Sequence, residues 1–519
     1  MVASSFADFV EASKASLGFR LIPVYKEYLA DTITPVSAFL ALVGYDGEGF
    51  LLESVEKGER WSRFSFVGRN TLAEISLTSG TVEVSSERAI PFLSNSEGFL
   101  SALESILSNL TASDMEGITP LHAGFVGYMG YDVIREIEDL PEAPPDDCAL
   151  PDAIMRMIGE LAVFDHWKQK IILISNVLVE PGVAEEELHR RFEEGVAKVD
   201  AMSAELSGCK MATLNLSLDP DAGPAAATSS LTSQEYAMAV KVAQEYIAAG
   251  DIFQVVLSKR FSFQLGAHPL DFYRVLRQLN PSPYMYLLRF GSITVAGSSP
   301  EPMVKIAGDR IISRPIAGTR PRGSSYAEDQ ALAAELLEHP KEVAEHIMLV
   351  DLARNDVGRV AEFSTEVMDE LMVLERYSHV MHMTSQVSAR KRPDCTAIDV
   401  LRATLPAGTV SGAPKVRAME IINELEPVKR GPYAGLVGYL DFSGNLDAAI
   451  AIRTLFCDAE GKSFVQAGAG IVADSDPILE DLECSNKARA LLIAVTAARA
   501  FGDWSRSEEG PEALGGRRS

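Results

Sequence analysis

The stretch Asp219 to Ser230, DPDAGPAAATSS, is small, polar and Pro/Gly-bearing and has neither helical nor strand periodicity, so it reads as a linker. It divides the 519-residue chain into an N-terminal part (1–218), a second part (231–501) and a polar, Gly-rich tail (502–519) expected to fray. Such a length allows two domains or one large composite core. Before the linker, β-rich segments (Gly49 to Val55, Phe64 to Gly68, Lys170 to Val179) mix with amphipathic helices such as Ala184 to Met202. After it, helix and strand patterns alternate. Thr232 and Glu235 form a capping-box signal, Tyr236, Val240, Ala243 and Ile247 follow at helical spacing, and Gly250 marks the stop. A strand, Ile252 to Leu257, comes next.

The charge balance excludes some partners. There are 47 Lys+Arg against 73 Asp+Glu, a formal net charge of −26, and no basic cluster that would hold a nucleic acid. Cys148, Cys209, Cys395, Cys457 and Cys484 form no CxxC pair, so neither a zinc site nor a disulfide framework is expected, which fits a reducing cytoplasm. The longest late apolar run, Ala490 to Ala498, is too short to span a bilayer, and Asp8 and Glu11 do not suit an export signal. We therefore expect a soluble cytoplasmic protein without a membrane partner.

Several polar residues sit against the apolar pattern. Gln254 is the one polar residue in IFQVVL, and a buried amide requires partners. In KEVAEHIMLVDLARND, Glu345 shares a helical stripe with Met348, Leu349 and Leu352, which calls for a compensating cation such as Lys341 or Arg354. Asp476-Pro477 opens a helix that carries Glu480, Glu483 and Lys487 on one face. Taken alone that face is a solvated charged surface; taken with Glu345 it offers the oxygens that Mg²⁺ prefers. In LDAAIAIRTLF, read as a single alternating strand, Arg453 shares a face with Ala449 and Ala451, leaving room for an anion. In FVQAGAGIV, Gly468 and Gly470 remove Cβ atoms from one face, where a ligand or another backbone comes close. The loop Gly408 to Lys415 precedes a helix, Val416 to Leu425, and could receive an anion, but no GxxxxGK(S/T) match supports nucleotide binding.

Nine segments in order (GDIFQVVLSKRF, NPSPYMY, GSSPE, RPIAGTRPRG, EHIMLVDLARNDVGRV, VMH, LPAGTVSGAPKVRAMEII, AIRT and QAGAGIV) resemble the chorismate-utilising enzymes, and within them component I of anthranilate synthase. The resemblance implies an α/β (α+β) fold of two large antiparallel sheets packed face to face, flanked by helices, with the active site in the C-terminal part. It implies that Glu345 and Glu483 bind Mg²⁺, with Glu480 as a neighbouring helper. Arg453, Tyr433 and backbone N–H groups near Gly468 and Gly470 then clamp the enolpyruvyl carboxylate, and Thr409 and Lys487 also contact substrate. Glu301 matches the general acid for the departing 4-hydroxyl, so burial is expected to raise its pKa. His382 matches the histidine of the elimination step, whereas His346 and His379 are expected to be structural.

By the same resemblance, water-using isochorismate and salicylate synthases carry a lysine base where this chain has Gln254, and many aminodeoxychorismate synthases carry a lysine where it has Ala317. Both differences favour ammonia as nucleophile and anthranilate as product. Leu51-Leu52-Glu53-Ser54 resembles a tryptophan feedback motif acting with Asn280 to Met285, so Glu53, Ser54, Pro281, Tyr284 and Met285 are the expected inhibitor contacts. No cysteine sits in a glutamine-hydrolysing nucleophile turn, which implies a separate glutamine amidotransferase small subunit as partner. The alternatives are an aminodeoxychorismate, isochorismate or salicylate synthase, or a tryptophan-sensing protein without catalysis.

Overall fold

A computed structural model of the chain describes residues 3–14, 18–54, 63–86, 98–113, 119–208, 223–376 and 380–506. Cys209, residues 219–222, His379 and the tail beyond 506 lie outside them.

The described strands form two sheets. The first, 13-stranded, runs from Thr228–Ser229 through Gln254–Gln264, Lys462–Ile471, Thr454–Asp458, Ile293–Ser299 and Tyr284–Phe290 to Gly49–Glu53. It continues through Phe64–Arg69, Glu160–Asp165, Lys170–Val179 and Phe19–Leu29 to Leu110–Ala112. The second, 11-stranded, centres on Leu436–Asp441 and Gly124–Met129. Pairing is antiparallel except at one edge, where Leu110–Ala112 lies parallel to Phe19–Leu29 and departs from the expected pattern.

The first sheet is covered on both faces, which explains why its strands read as near-continuous apolar runs. In Lys170–Val179, Ile172 and Ile174 join the core between the sheets, while Ile171 and Leu173 join a second core beneath the outer helices. The helices Pro35–Leu42, Glu185–Ser207, Pro269–Leu279 and Pro477–Arg506 supply that outer layer. Across the sandwich, the rings of Phe66 and Tyr439 meet edge-on at 6.0 Å, and Tyr284 Oη donates to Asp447 Oδ1 at 2.9 Å. Among the described residues no helix is long and apolar enough to cross a membrane.

Local signals behave as their chemistry requires. Thr232 and Glu235 close a capping box on Ser233–Ala249, and Gly250 ends that helix at φ 86°, a conformation costly for any residue with a Cβ. The stretch after residue 222 does not separate two cores: each sheet takes strands from both sides of it, and Ala225 N donates to Leu492 O at 3.0 Å.

Both halves follow one strand route. Phe64–Arg69 and Glu160–Asp165 pair in the first sheet and connect to Ala73–Thr78 and Ala153–Met157, which pair in the second. Ile293–Ser299 and Thr454–Asp458 likewise pair in the first sheet and connect to Pro302–Ala307 and Leu446–Ile450, which pair in the second. Because the halves share sheets, cutting the chain between the exposed Gly223 and Pro224 should leave two pieces that co-elute and unfold in one urea transition. Two pieces that separate and stay folded would contradict a shared core.

Candidate active site at the seam between the sheets

The segment expected to be one strand through Arg453 is two. Leu446–Ile450 belongs to the second sheet, Thr454–Asp458 to the first, and residues 451–453 make the crossing. Arg453 sits there at φ 50°, the left-handed region that side chains with a Cβ seldom adopt, so the tight crossing rather than strand alternation sets its direction. Glu301 lies in the neighbouring crossing, between Ile293–Ser299 and Pro302–Ala307. The two crossings are tied: Ile450 N donates to Glu301 O at 3.0 Å, and Ser298 N donates to Arg453 O at 3.2 Å.

Glu301 is buried, and burial pushes its carboxyl up to about 7 against the Thr409 side chain and the charges of Lys487 and Arg453. Thr409 Oγ1 is itself buried, its hydroxyl set against that carboxyl. Burial also lowers the Arg453 guanidinium, with the Glu301 charge opposing, and Arg453 makes no salt bridge among the described residues. It lines a cleft of about 410 Å³ together with Asn280, Leu479, Glu483 and Lys487. His382, on Val380–Arg390, is brought down to about 4 by burial and then by the Arg453 charge, so it is neutral at pH 7. Its Nδ1 lies 2.9 Å from Thr319 Oγ1. His346 is buried with Nε2 2.7 Å from Ser385 Oγ.

Two helices bring in the carboxylates. Glu345, on Pro340–Gly358, accepts from Gln254 Nε2 at 3.1 Å. The cations expected beside it are placed differently: Arg354 pairs with Asp351 at 3.2 Å, and Lys341 acts only at a distance. Burial raises the Glu345 pKa, and the charges of Glu342 and Glu483 add to the rise, so Glu345 and Glu483 feel one another. Asp476 Oδ1 caps the second helix by accepting from Ile478 N and Leu479 N, and Glu480 there is raised by burial and by Glu483. Glu483 Oε1 is 2.7 Å from Lys487 Nζ, which also donates to Gly468 O at 2.9 Å. That ion pair is about half exposed and contributes at most ~1 kcal/mol, so it yields readily to a stronger ligand. Among the described residues no group of three or more His, Cys, Asp or Glu forms a metal cage. Two carboxylates that leave the remaining positions to water and substrate fit a hard divalent ion such as Mg²⁺.

The glycines make room for these side chains. A Cβ on Gly470 would collide with Gln254 Nε2, and one on Gly468 would stand 3.2 Å from Tyr433 Oη. Gln254 is buried with Oε1 unpartnered, and Tyr433 is buried beside Arg430.

Arg430 and Glu426 escaped the sequence reading. Arg430 donates to both oxygens of Glu426 at 2.9 and 2.6 Å, to Val410 O at 2.6 Å and to Val256 O at 2.7 Å. Its guanidinium lies 4.7 Å from the ring centre of Tyr131 and 5.8 Å from that of Tyr433. Glu426 also receives Ser258 N and Oγ, each at 2.8 Å. The pair thereby joins the turn Gly408–Val410, the strand Gln254–Gln264 and Tyr433. Spacing of four suggests a helical pair, but the helix Lys415–Leu425 ends before Glu426, so no periodic pattern reveals the contact.

The segment expected to bind tryptophan is partly assembled. Glu53 is buried and accepts from Tyr273 Oη at 2.6 Å and from Arg277 Nε and Nη2 at 3.1 Å each. Met285 lies opposite both Glu53 and Ser298 in the first sheet, and Ser54 Oγ is buried with no hydrogen-bond partner among the described residues. Tyr284 points the other way: its side chain reaches Asp447 in the second sheet, since neighbours along a strand face opposite sides. Pro281 follows Asn280, whose carbonyl accepts from Ser298 Oγ.

Removing one partner of the Arg430–Glu426 pair leaves a buried unpaired charge, so Arg430→Met should cost about 3–5 kcal/mol, read as a lower urea midpoint with an unchanged slope.

A family model of chorismate binding enzymes matches residues 50–493. Anthranilate synthase component 1 of Acetivibrio thermocellus is 44% identical over 488 residues, covering 92% of this chain and 96% of its own. The Thermus thermophilus protein of the same name is 45% identical over 481 residues, 93% of this chain and 99% of its own. The solved structure of anthranilate synthase component I from Streptococcus pneumoniae has a TM-score of 0.71 at 36% identity, covering 90% of this chain and 99% of that one. A menaquinone-specific isochorismate synthase from Escherichia coli shares the fold, with a TM-score of 0.68 at 17% identity over 94% of this chain and 98% of that one. With the matched region spanning both sheets and the crossings that carry Glu301 and Arg453, the chain belongs to the chorismate binding enzyme family, alongside the anthranilate synthase component 1 proteins.

Proposed function

We propose that the protein adds ammonia to C2 of chorismate with loss of the 4-hydroxyl as water, then eliminates pyruvate to give anthranilate. The observation that carries this reading is Glu301, a buried carboxyl brought to about 7 and acted on by the charges of Arg453 and Lys487, two cations that line the cleft. Near neutrality its acid form can protonate the departing hydroxyl. Arg453 and Tyr433 would hold the enolpyruvyl carboxylate, with Lys487, Thr409 and the backbone at Gly468 and Gly470 beside it. Glu345 and Glu483 would hold Mg²⁺, whose charge offsets the ring carboxylate when it is bound. Neutral His382 would accept the C2 proton, and the enolpyruvyl group leaves as pyruvate after its methylene carbon gains a proton. Gln254 offers no base to deprotonate water, which favours ammonia. We further propose a cytoplasmic setting, a glutamine amidotransferase partner as the ammonia source, and tryptophan as an inhibitor bound near Glu53, Ser54 and Met285.

The full chain incubated with chorismate, ammonium and Mg²⁺ should release fluorescent anthranilate and equimolar pyruvate. A non-aromatic product would point to an aminodeoxychorismate or isochorismate synthase, and tryptophan binding without turnover to a sensor. At constant free ammonia, kcat/KM should fall as pH rises through about 7, because Glu301 then loses the proton it donates. Glu301→Gln should lower kcat by about 10²–10⁴-fold.

Ser54→Phe should fill the space beside Glu53 and relieve inhibition by tryptophan while leaving anthranilate formation intact. An unchanged inhibition curve would rule out the assigned pocket.

A further inference from the structure

Each turnover under the proposed chemistry takes a proton from Glu301, which must regain one before the next. Arg453 and Lys487, which line the cleft, act on Glu301 as two cations that disfavour an incoming proton, and bound substrate would cover that approach. Glu301 also lines a second cavity, of about 40 Å³, where the polar side chains of Ser313, Arg314, Asp356, Thr404 and Thr409 stand among an otherwise apolar lining. That volume admits about one or two waters. The Thr409 side chain, set against the Glu301 carboxyl, lines the same cavity.

Asp356, on the same helix as Glu345 but three turns along, is another wall of this cavity. Lys415 Nζ holds its Oδ2 at 2.8 Å, and the side chains of Asp356 and Lys415 keep 14% and 13% of their surface in solvent. The groups facing Asp356 are Lys415 and Arg359. Arg314 is engaged by Glu375 and by Glu370 at 3.5 Å. Burial raises the Asp356 pKa above its ordinary value against the pull of both cations.

We propose that this second cavity holds ordered water and that Asp356 passes a proton through it from solvent to the Glu301 carboxylate after each turnover. This rests on Glu301 acting as the general acid. The proton balance is simple: a solvent acid protonates Asp356, Asp356 gives a proton to the cavity water, and that water gives one to Glu301. Only O–H bonds form and break. Asp356 touches no substrate and acts through Glu301.

The test uses the full chain with ammonium and Mg²⁺, comparing steady-state turnover with a single turnover at excess enzyme. In Asp356→Asn, Glu301 begins protonated, so the first turnover should match the unaltered protein while kcat falls about tenfold with the chorismate KM unchanged. Imidazolium buffer should restore much of the loss, which a structural defect would not allow. Ala353→Val, which adds bulk to the cavity wall while keeping every charged group, should give the same split and covers the case in which Asp356→Asn fails to fold. Steady-state rates within twofold of the unaltered protein in both variants would overturn the relay. Equal loss of first and later turnovers would overturn it as well. Glu301→Gln separates the two ideas: a full first turnover in that variant, or no anthranilate from the unaltered protein, would remove the parent reading and the relay with it.

Discussion

A strand that leaves one sheet for another has to turn within a few residues, and its polar backbone there leaves the ladder it came from. The fold imposes this twice in neighbouring positions, at residues 300–301 and 451–453, and hydrogen bonds from Ile450 to Glu301 and from Ser298 to Arg453 close the gap. A charged side chain at such a junction is buried between two layers yet faces the opening where they part. The seam thus provides what an ion-handling site needs, desolvation together with access.

Within it the charges are deliberately unbalanced. Among the described residues Arg453 has no ion pair, Glu345 has an amide where a cation could stand, and Glu483 is held by a half-exposed lysine of small energetic weight. By contrast Glu426 and Arg430 are mutually saturated and fully buried, which suits scaffolding rather than chemistry. The difference between the two sets marks which charges await a ligand.

Much of this was legible in the sequence because it rests on local chemistry. The capping box at Thr232, the αL stop at Gly250, the Asp476 cap and the polar intrusions at Gln254 and Glu345 all follow from spacing and side-chain type. The glycines at 468 and 470 were readable as close approaches: a Cβ on Gly468 would meet the backbone oxygen of Leu257 and then Tyr433, and one on Gly470 the Gln254 amide. Arg453 was misplaced on a strand face because alternation continues through LDAAIAIRTLF while the chain changes sheets, a tertiary event with no periodic signature. The Glu426–Arg430 pair was invisible for a similar reason, since its bonds reach backbone more than a hundred residues away. Both halves trace the same route between the sheets, a likeness carried by strand pairing rather than by any motif named above. Topology can persist where side chains have diverged.

One row of the first sheet runs Glu53, Met285, Ser298 and then, through a backbone hydrogen bond, Arg453. At about 4.8 Å per strand this row spans roughly 14 Å. Glu53 is fixed by Tyr273 and Arg277 from the helix outside the sheet, and Arg453 stands at the opening between the layers. A sheet resists stretching along its hydrogen bonds far more than it resists shear between strands. A displacement of that helix along the hydrogen bonds, rather than along the strands, is therefore the one the row would carry to the backbone of Arg453 at its far end.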